Sequence, residues 1–325
     1  MKSQRVFISG IAGFIGFHLA SFLIKRGDYV IGCDNFNNYY TPQLKFDRAD
    51  QLKSLGVEVI HEDIQNSSPL IDICKKENIS HFVHLAAQAG VRYSISHPQS
   101  YADSNLNGFL QVLETCRALP AIKLVFASSS SVYGGNTKIP FSETDPTDNP
   151  VSLYAATKKS GELLAKSYHN LYGIPMVGLR FFTVYGPWGR PDMAYYSFAE
   201  KILSGIPISV FNHGKMERDF TYIDDIVAGI AASLDHCTSF DIYNLGNNKP
   251  QPLMHLIELL ETYLGEKAQI EYLPMQLGDV EKTYADISKA EKALGFSPTT
   301  SLEKGIEKFT YWLLEQKHHC YSIQK

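Results

Sequence analysis

The chain carries no sign of a metal protein. None of its eleven histidines belongs to an HExxH run, and its five cysteines (Cys33, Cys74, Cys116, Cys237, Cys320) are scattered without a CxxC pair. The expectation is therefore no metal site and thiols kept reduced. No apolar run reaches the ~18 residues of a membrane span. Positive charge is also in short supply. Thirty Lys and Arg face 34 Asp and Glu, a formal net charge of −4, which gives no general pull toward nucleic acid or an anionic membrane. Internal repeats and low-complexity tracts are missing. The chain opens Met1-Lys2-Ser3-Gln4-Arg5 and enters an apolar stretch at once. No signal peptide is expected to precede the fold, and a cytoplasmic location follows from that expectation.

What is present is an ordinary globular composition, 44% hydrophobic and 20% charged over 325 residues. That length fits one large α/β domain with a smaller lobe. Arg5–Ser9 reads as a strand, Gly10–Gly16 as a glycine turn, Phe14–Arg26 as an amphipathic helix and Tyr29–Cys33 as a second strand ending at Asp34. This strand–helix–strand unit starts a doubly wound parallel sheet, a Rossmann arrangement. Further strands are expected at Val57–His61, His81–Leu85, Leu124–Ala127 and Met176–Arg180, with helices at Ser104–Ala118 and Leu153–Tyr172. After Phe182 the texture changes to a Gly/Pro loop, Gly186-Pro-Trp-Gly-Arg-Pro191, then short strands and helices. The expected division is 1–182 for the nucleotide-binding domain, with 219–247 returning to it. Residues 183–218 and 248–315 would form an interleaved substrate lobe, and 316–325 a tail.

Gly10-Ile-Ala-Gly13-Phe14-Ile15-Gly16 lies between a strand and a helix. There the first glycine makes the tight turn, the second admits a pyrophosphate, and the third lets helix pack on strand. A ligand-free glycine turn is the plain alternative, and the strand–turn–helix context weighs against it. Asp34, at the end of the second strand, is placed to accept from the adenosine ribose hydroxyls. Its neighbours Asn35 and Phe36 carry no positive charge for a 2′-phosphate, so NAD is expected over NADP. Asp63 and Ile64 follow the third strand and could clamp the adenine, although a solvated loop acid is an equal reading of Asp63.

Tyr154-Ala-Ala-Thr-Lys158 places a phenol and an ammonium one helical turn apart on one face. Lowering a phenol from near ~10 to neutrality needs about 4 kcal/mol of preference for phenolate, and a nearby cation supplies that kind of preference. With the glycine turn and the serine run Ser128–Ser131, the pattern points to a nucleotide-cofactor oxidoreductase site.

These residues resemble the extended short-chain dehydrogenase/reductase family, and closely its UDP-glucuronate 4-epimerases, from about Arg5 to about Trp312. GxxGxxG and YxxxK fix only the superfamily. More specific are AGVRYS from Ala89, FFTVYGPWGRPDM from Phe181, RDFTYIDD from Arg218 and GDVEKTYADISKA from Gly278. The resemblance implies Tyr154 as base, Lys158 on the nicotinamide ribose and Ser129 on the reacting oxygen. It implies a cofactor wall of Leu85, Ala86, Ala87, Gln88 and Asn105. Arg92, Thr183, Arg190, Arg218 and Asp279 would meet the sugar nucleotide, with Ser209, Val210 and Phe211 beside the uracil.

Epimerisation at C4 requires proton removal from the hydroxyl, transfer of the C4 hydride to the cofactor, turnover of the 4-keto sugar and return of the hydride. A C5 carboxylate beside a C4 ketone is a β-keto acid and must be held from losing CO₂. The hydroxyls of Ser129, Ser130, Ser131 and Thr183, with Arg190, could hold it. Close packing alone could also explain the extra serines, and ordinary surface ion pairs could explain Arg92 and Arg218. Related 4,6-dehydratases have an Asp-Glu pair just after the position of Ser129, and related decarboxylases a glutamate at the position of Ser131; both are missing here. Asp224-Asp225 reads as a helix cap. The alternatives to a UDP-glucuronate/UDP-galacturonate 4-epimerase are a 4-epimerase of neutral UDP-hexoses or a silent NAD-sensing scaffold. Intact Ser129, Tyr154 and Lys158 argue against the scaffold. Helices Ser104–Ala118 and Leu153–Tyr172 are expected to pair across a two-fold axis in a homodimer.

Overall fold

The computed structural model describes residues 3–119, 121–275 and 280–322, with side chains as far as 316. Its centre is a parallel sheet formed by β1 (Arg5–Ser9), β2 (Tyr29–Asp34), β3 (Glu58–His61), β4 (His81–His84), β5 (Lys123–Ser129) and β6 (Met176–Phe181). A further strand, Phe240–Leu245, completes the order Phe240–Leu245, β6, β5, β4, β1, β2, β3. The expected doubly wound α/β fold is therefore present.

Side-chain alternation along the strands builds two hydrophobic cores, one on each face. Val6 and Ile8 join one core and Phe7 the other; Val83 and Val125 lie with the first, Phe82, Leu124 and Phe126 with the second. Burial on both faces explains why these strands read as continuous apolar runs. Strand order reverses between β1 and β4, whose C-terminal ends are parallel neighbours. Ligands bind at such switch points in open parallel sheets.

The smaller elements gather beyond the C-terminal edge. Thr183–Tyr185 pairs in parallel with Phe220–Tyr222, and Ile208–Val210 with Ile270–Tyr272. Glu217–Arg218 lies between Gln251–Pro252 and Lys282–Thr283. An aromatic cluster of Tyr185, Tyr195, Tyr196, Phe309 and Trp312 fills the space beneath them.

Two expectations are refined. The segment expected as a helix over Ser104–Ala118 is a π-helix at Ala102–Gly108 continued by an α-helix at Phe109–Arg117. Asp224 and Asp225 do sit in the first turn of the Ile223–His236 helix, but no side chain caps it. Asp225 instead accepts from the backbone N–H groups of Thr299 and Thr300, at 3.1 and 3.1 Å. No helix among the described residues is long and apolar enough to cross a membrane.

Candidate active site

A cleft of about 1080 Å³ opens where the strand order reverses. Gly10, Gly13, Phe14, Ile15 and Gly16 form its floor. Gly10 has φ +74°, and a Cβ there would lie 2.7 Å from the Ala86 backbone nitrogen. At Gly16 a Cβ would lie 2.2 Å from the Gly10 carbonyl oxygen. The first position thus needs glycine for conformation and close approach, and the last for helix–strand contact. Gly13 precedes the Phe14–Arg26 helix and offers no side-chain cap, which leaves that helix N-terminus with backbone donors for an anion.

The far wall carries Leu85, Ala86, Ala87 and Gln88. Asn105, expected in that wall, stands behind it. Its Oδ1 accepts from the Gln88 N–H at 2.8 Å, and its Nδ2 donates to the Gln88 carbonyl at 3.0 Å and to Thr157 Oγ1 at 3.1 Å. The π-helix therefore fixes the Gln88 backbone and ties it to the helix that bears Tyr154, a functional placement common for π-turns.

Asp34 is buried at the end of β2 and accepts from the Phe36 N–H at 2.9 Å. Burial pushes its carboxyl up, opposed mainly by Lys45, whose Nζ is 4.0 Å away. Asn35 donates to Asp63 at 2.9 Å, so these two predicted residues brace one another, and both line the cleft with Ile64. His84 on β4 is fully enclosed, bonded to Ser9 Oγ at 2.8 Å, and burial drives its pKa down to about 3. It remains a neutral packing residue.

At the centre, the Leu153–Tyr172 helix is capped by Ser152, whose hydroxyl accepts from the Ala155 N–H at 3.1 Å. That start puts Tyr154 in the first turn, facing β5. Burial pushes the Tyr154 phenol up; the Ser129 hydrogen bond and the charge of Arg190 favour its ionised form. Arg190, which the sequence argument had assigned to substrate, therefore also bears on Tyr154. Lys158, one turn on, lines the same cleft and donates to the Ala127 carbonyl at 2.9 Å, and burial lowers its pKa to about 8.

Ser130, Ser131, Thr183 and Arg190 reach the same cleft. Arg92, Ser209, Phe211 and Arg218 line its outer end, with the Arg92 guanidinium 4.7 Å above the Phe211 ring. The expectation for Val210 is corrected: strand alternation turns it into the core, fully buried, while Ser209 faces the cleft. Asp279 lies outside the described residues. Among the described residues no group of His, Cys, Asp or Glu is arranged to hold a metal ion.

The sequence pattern of the NAD dependent epimerase/dehydratase family matches residues 6–246, from β1 through the last strand of the sheet. The chain belongs to that family.

An uncharacterized protein of Methanocaldococcus jannaschii is 52% identical over 98% of this chain and 98% of its own length. UDP-glucuronate 4-epimerase 4 of Arabidopsis thaliana is 49% identical over 95% of this chain and 75% of its length. Among solved structures, a UDP-glucuronic acid 4-epimerase from Bacillus cereus, in complex with UDP-glucuronic acid and NAD, superposes with a TM-score of 0.90. It has 36% identity and covers 96% of this chain and 100% of that one.

The cofactor of the family is NAD, and the residues of this cleft fit a dinucleotide: a turn whose Gly10 and Gly16 leave no room for a Cβ, helix N–H donors, and a buried carboxylate, Asp34, at the end of β2. Several residues escaped the sequence reading. Lys45 sits on the Pro42–Ser54 helix and Asp192 follows the Gly/Pro loop; Tyr39 and Tyr195 also line the cleft. Only folding brings Lys45 to Asp34. The two together refine the cofactor argument, because Asp34 stands between Lys45 and any 2′-phosphate preference. Asp34→Ala is expected to weaken NAD binding about tenfold or more and, by leaving Lys45 without its counter-charge, to raise the relative affinity for NADP. Titration of both dinucleotides checks this; an unchanged NAD-to-NADP ratio contradicts it.

Proposed function

We propose that this chain is a 4-epimerase that interconverts UDP-glucuronate and UDP-galacturonate through a 4-keto sugar without loss of CO₂. The observation that carries the reading is the meeting of Ser129 and Tyr154 beside Ser130, Ser131, Thr183 and Arg190 in one cleft. Gly10–Gly16, Asp34 and the Leu85–Gln88 wall would hold NAD, which when bound would supply hydride acceptance from sugar C4 and its return. Tyr154 removes the C4 hydroxyl proton and later gives it back. Ser129 lies beside the phenol and favours its ionised form; with the sugar bound, its single O–H would turn to the C4 oxygen.

The remaining groups divide by task. Arg92 and Arg218 at the outer end match phosphate chemistry, and the Phe211 ring beneath Arg92 suits a flat base. Affinity concentrated there lets the hexose turn over. The hydroxyls of Ser130, Ser131 and Thr183 with Arg190 hold the C5 carboxylate out of line with the C4 carbonyl, which suppresses decarboxylation. Neither Ser130 nor Ser131 is an acid, so elimination and decarboxylation lack a proton handler. We assign residues 183–218 and 248–315 to the lobe that holds the sugar nucleotide.

One observation favours the neutral-sugar alternative. Arg190 is already paired with Asp192, so its charge is partly cancelled. Incubating the purified protein with UDP-glucuronate, UDP-galacturonate, UDP-glucose and UDP-N-acetylglucosamine decides between them. Turnover confined to the acids is expected; faster turnover of the neutral sugars overturns the acidic assignment. Tyr154→Phe should abolish turnover with UDP-sugar affinity nearly intact, whereas Ser129→Ala should cost about 10²-fold. Equal mild losses would refute the assigned roles.

A homodimer is part of the same proposal. Ala156, Leu163, Ser167 and Leu171 fall on one stripe of the Leu153–Tyr172 helix, and Leu163 and Leu171 are 61% and 68% exposed. The neighbouring Phe109–Arg117 helix adds the half-buried Leu110. Two such helix pairs form a four-helix seam across a two-fold axis. Light scattering should give twice the chain mass, and Leu163→Glu with Leu171→Glu should give monomers. A monomeric wild type at micromolar concentration contradicts the seam.

A further inference from the structure

The Arg190–Asp192 pair is more than a complication for the assignment above. Arg190 donates through Nε to Asp192 Oδ1 at 3.0 Å and through Nη2 to Asp192 Oδ2 at 2.5 Å. Asp192 is itself fixed, since the Tyr39 hydroxyl donates to its Oδ2 at 2.9 Å. The Arg190 guanidinium carbon lies 5.8 Å from the Tyr39 ring centre, and that ring packs edge-on against Tyr93 at 4.8 Å. The loop behind Arg190 is held as well. Arg48, completely buried, donates to the carbonyls of Trp188 at 2.6 Å and Gly189 at 3.0 Å. Tyr39 and Arg48 both come from the segment after β2, so the cofactor side of the cleft sets the position of Arg190.

The side edge of the guanidinium is thus taken by Asp192, one hydrogen each from Nε and Nη2. A sugar carboxylate has only the Nη1/Nη2 edge left, and there it meets the negative charge of Asp192 beside the positive charge of Arg190. What the substrate meets is an arginine whose charge is already largely offset by a bound carboxylate, which weakens any grip on a second one. The reaction gives a reason. The 4-keto sugar must release its C5 substituent from one position and re-dock on its other face. A full, uncompensated charge on Arg190 would deepen the bound ground state of an acidic sugar without lowering the barrier to turning, which improves binding and slows turnover.

We propose that Asp192, seated by Tyr39, is a specificity-determining residue that tempers the hold of Arg190 on an acidic sugar so that the sugar can turn over. This rests on the acidic-sugar reading given above. The charge it controls also reaches Tyr154, because Arg190 lies within the field of that phenol.

The test compares Asp192→Asn and Asp192→Ser, which remove the charge, with Asp192→Glu, which keeps it. Dissociation constants for UDP-glucuronate, UDP-glucose and UDP are measured by calorimetry on the NAD-loaded protein, together with kcat for UDP-glucuronate. Both charge-removing variants are expected to bind UDP-glucuronate about tenfold more tightly, with UDP and UDP-glucose affinities unchanged and kcat reduced. Asp192→Glu should stay near wild type, and the gain should vanish in an Arg190→Ala background. Unchanged UDP binding shows that each variant is folded, and two different neutral replacements guard against failure of one. Weaker or unchanged UDP-glucuronate binding overturns the proposal, as does an equal shift for all three ligands. A wild type that binds UDP-glucuronate but turns over only neutral sugars overturns the functional reading instead, while the binding comparison still decides the role of Asp192.

Discussion

The site depends on a buried ion pair that never touches the cleft chemistry. Glu162 and Arg180 are almost fully enclosed and meet as a fork, Nε to Oε1 at 2.8 Å and Nη2 to Oε2 at 2.9 Å. Glu162 lies four residues beyond Lys158 and eight beyond Tyr154 on the same helix. Arg180 sits opposite Ser128 in the register of β5 and β6. Ser128 closes the triangle by donating to Glu162 Oε1 at 2.7 Å. The helix that carries the phenol and the strand that carries Ser129 are thus fastened next to the reacting groups. Removing one partner of such a pair costs about 3–5 kcal/mol, because the other charge is left buried. The network then runs outward: Arg180 donates to Tyr133, Tyr133 to Asn244, and Asn244 to the carbonyls of Phe141 and Asp286.

A second knot serves the outer end of the cleft. Asp219, fully buried and next to Arg218, accepts from the N–H groups of Asn247 at 2.5 Å, Ala285 at 2.9 Å and Asn248 at 3.1 Å. Burial pushes this carboxyl up, and those three donors oppose it. Segments far apart in sequence are drawn to the strand that presents Arg218. Rigidity is therefore concentrated at the Arg218 end, proposed above to hold the nucleotide, and around Tyr154 and Ser129. The space between them is lined by small hydroxyls. That division suits a reaction in which the nucleotide must stay while the hexose turns.

Much of this was readable from local pattern. The glycine turn, Asp34, the Tyr154–Lys158 spacing and the serine run are each set by a short stretch whose backbone geometry follows from neighbours in sequence. The inner strands β1, β2, β4, β5 and β6 could be read because burial on both faces leaves nearly uninterrupted apolar runs. What could not be read depends on contacts across the fold. Lys45 and Asp192 are ordinary charged residues until tertiary structure sets them against Asp34 and Arg190. Lys158, one turn from Tyr154, was readable from spacing, whereas the charge of Arg190 reaches the phenol from a loop that only tertiary structure brings near. Val210 was misplaced because three consecutive residues were taken as one contact surface, whereas a strand presents alternate ones. Asp225 was read as a local cap, but it binds the distant Thr299–Thr300 backbone.

The central claim is that one carbon is oxidised and then reduced within one closed cleft, with the sugar turning between the two events. UDP-glucuronate carrying deuterium at C4 tests it most directly. Product analysis by mass spectrometry and NMR should show UDP-galacturonate with the deuterium still at C4 and no pentose nucleotide. Loss of the label to solvent, or label retained only in a decarboxylated product, would contradict the account.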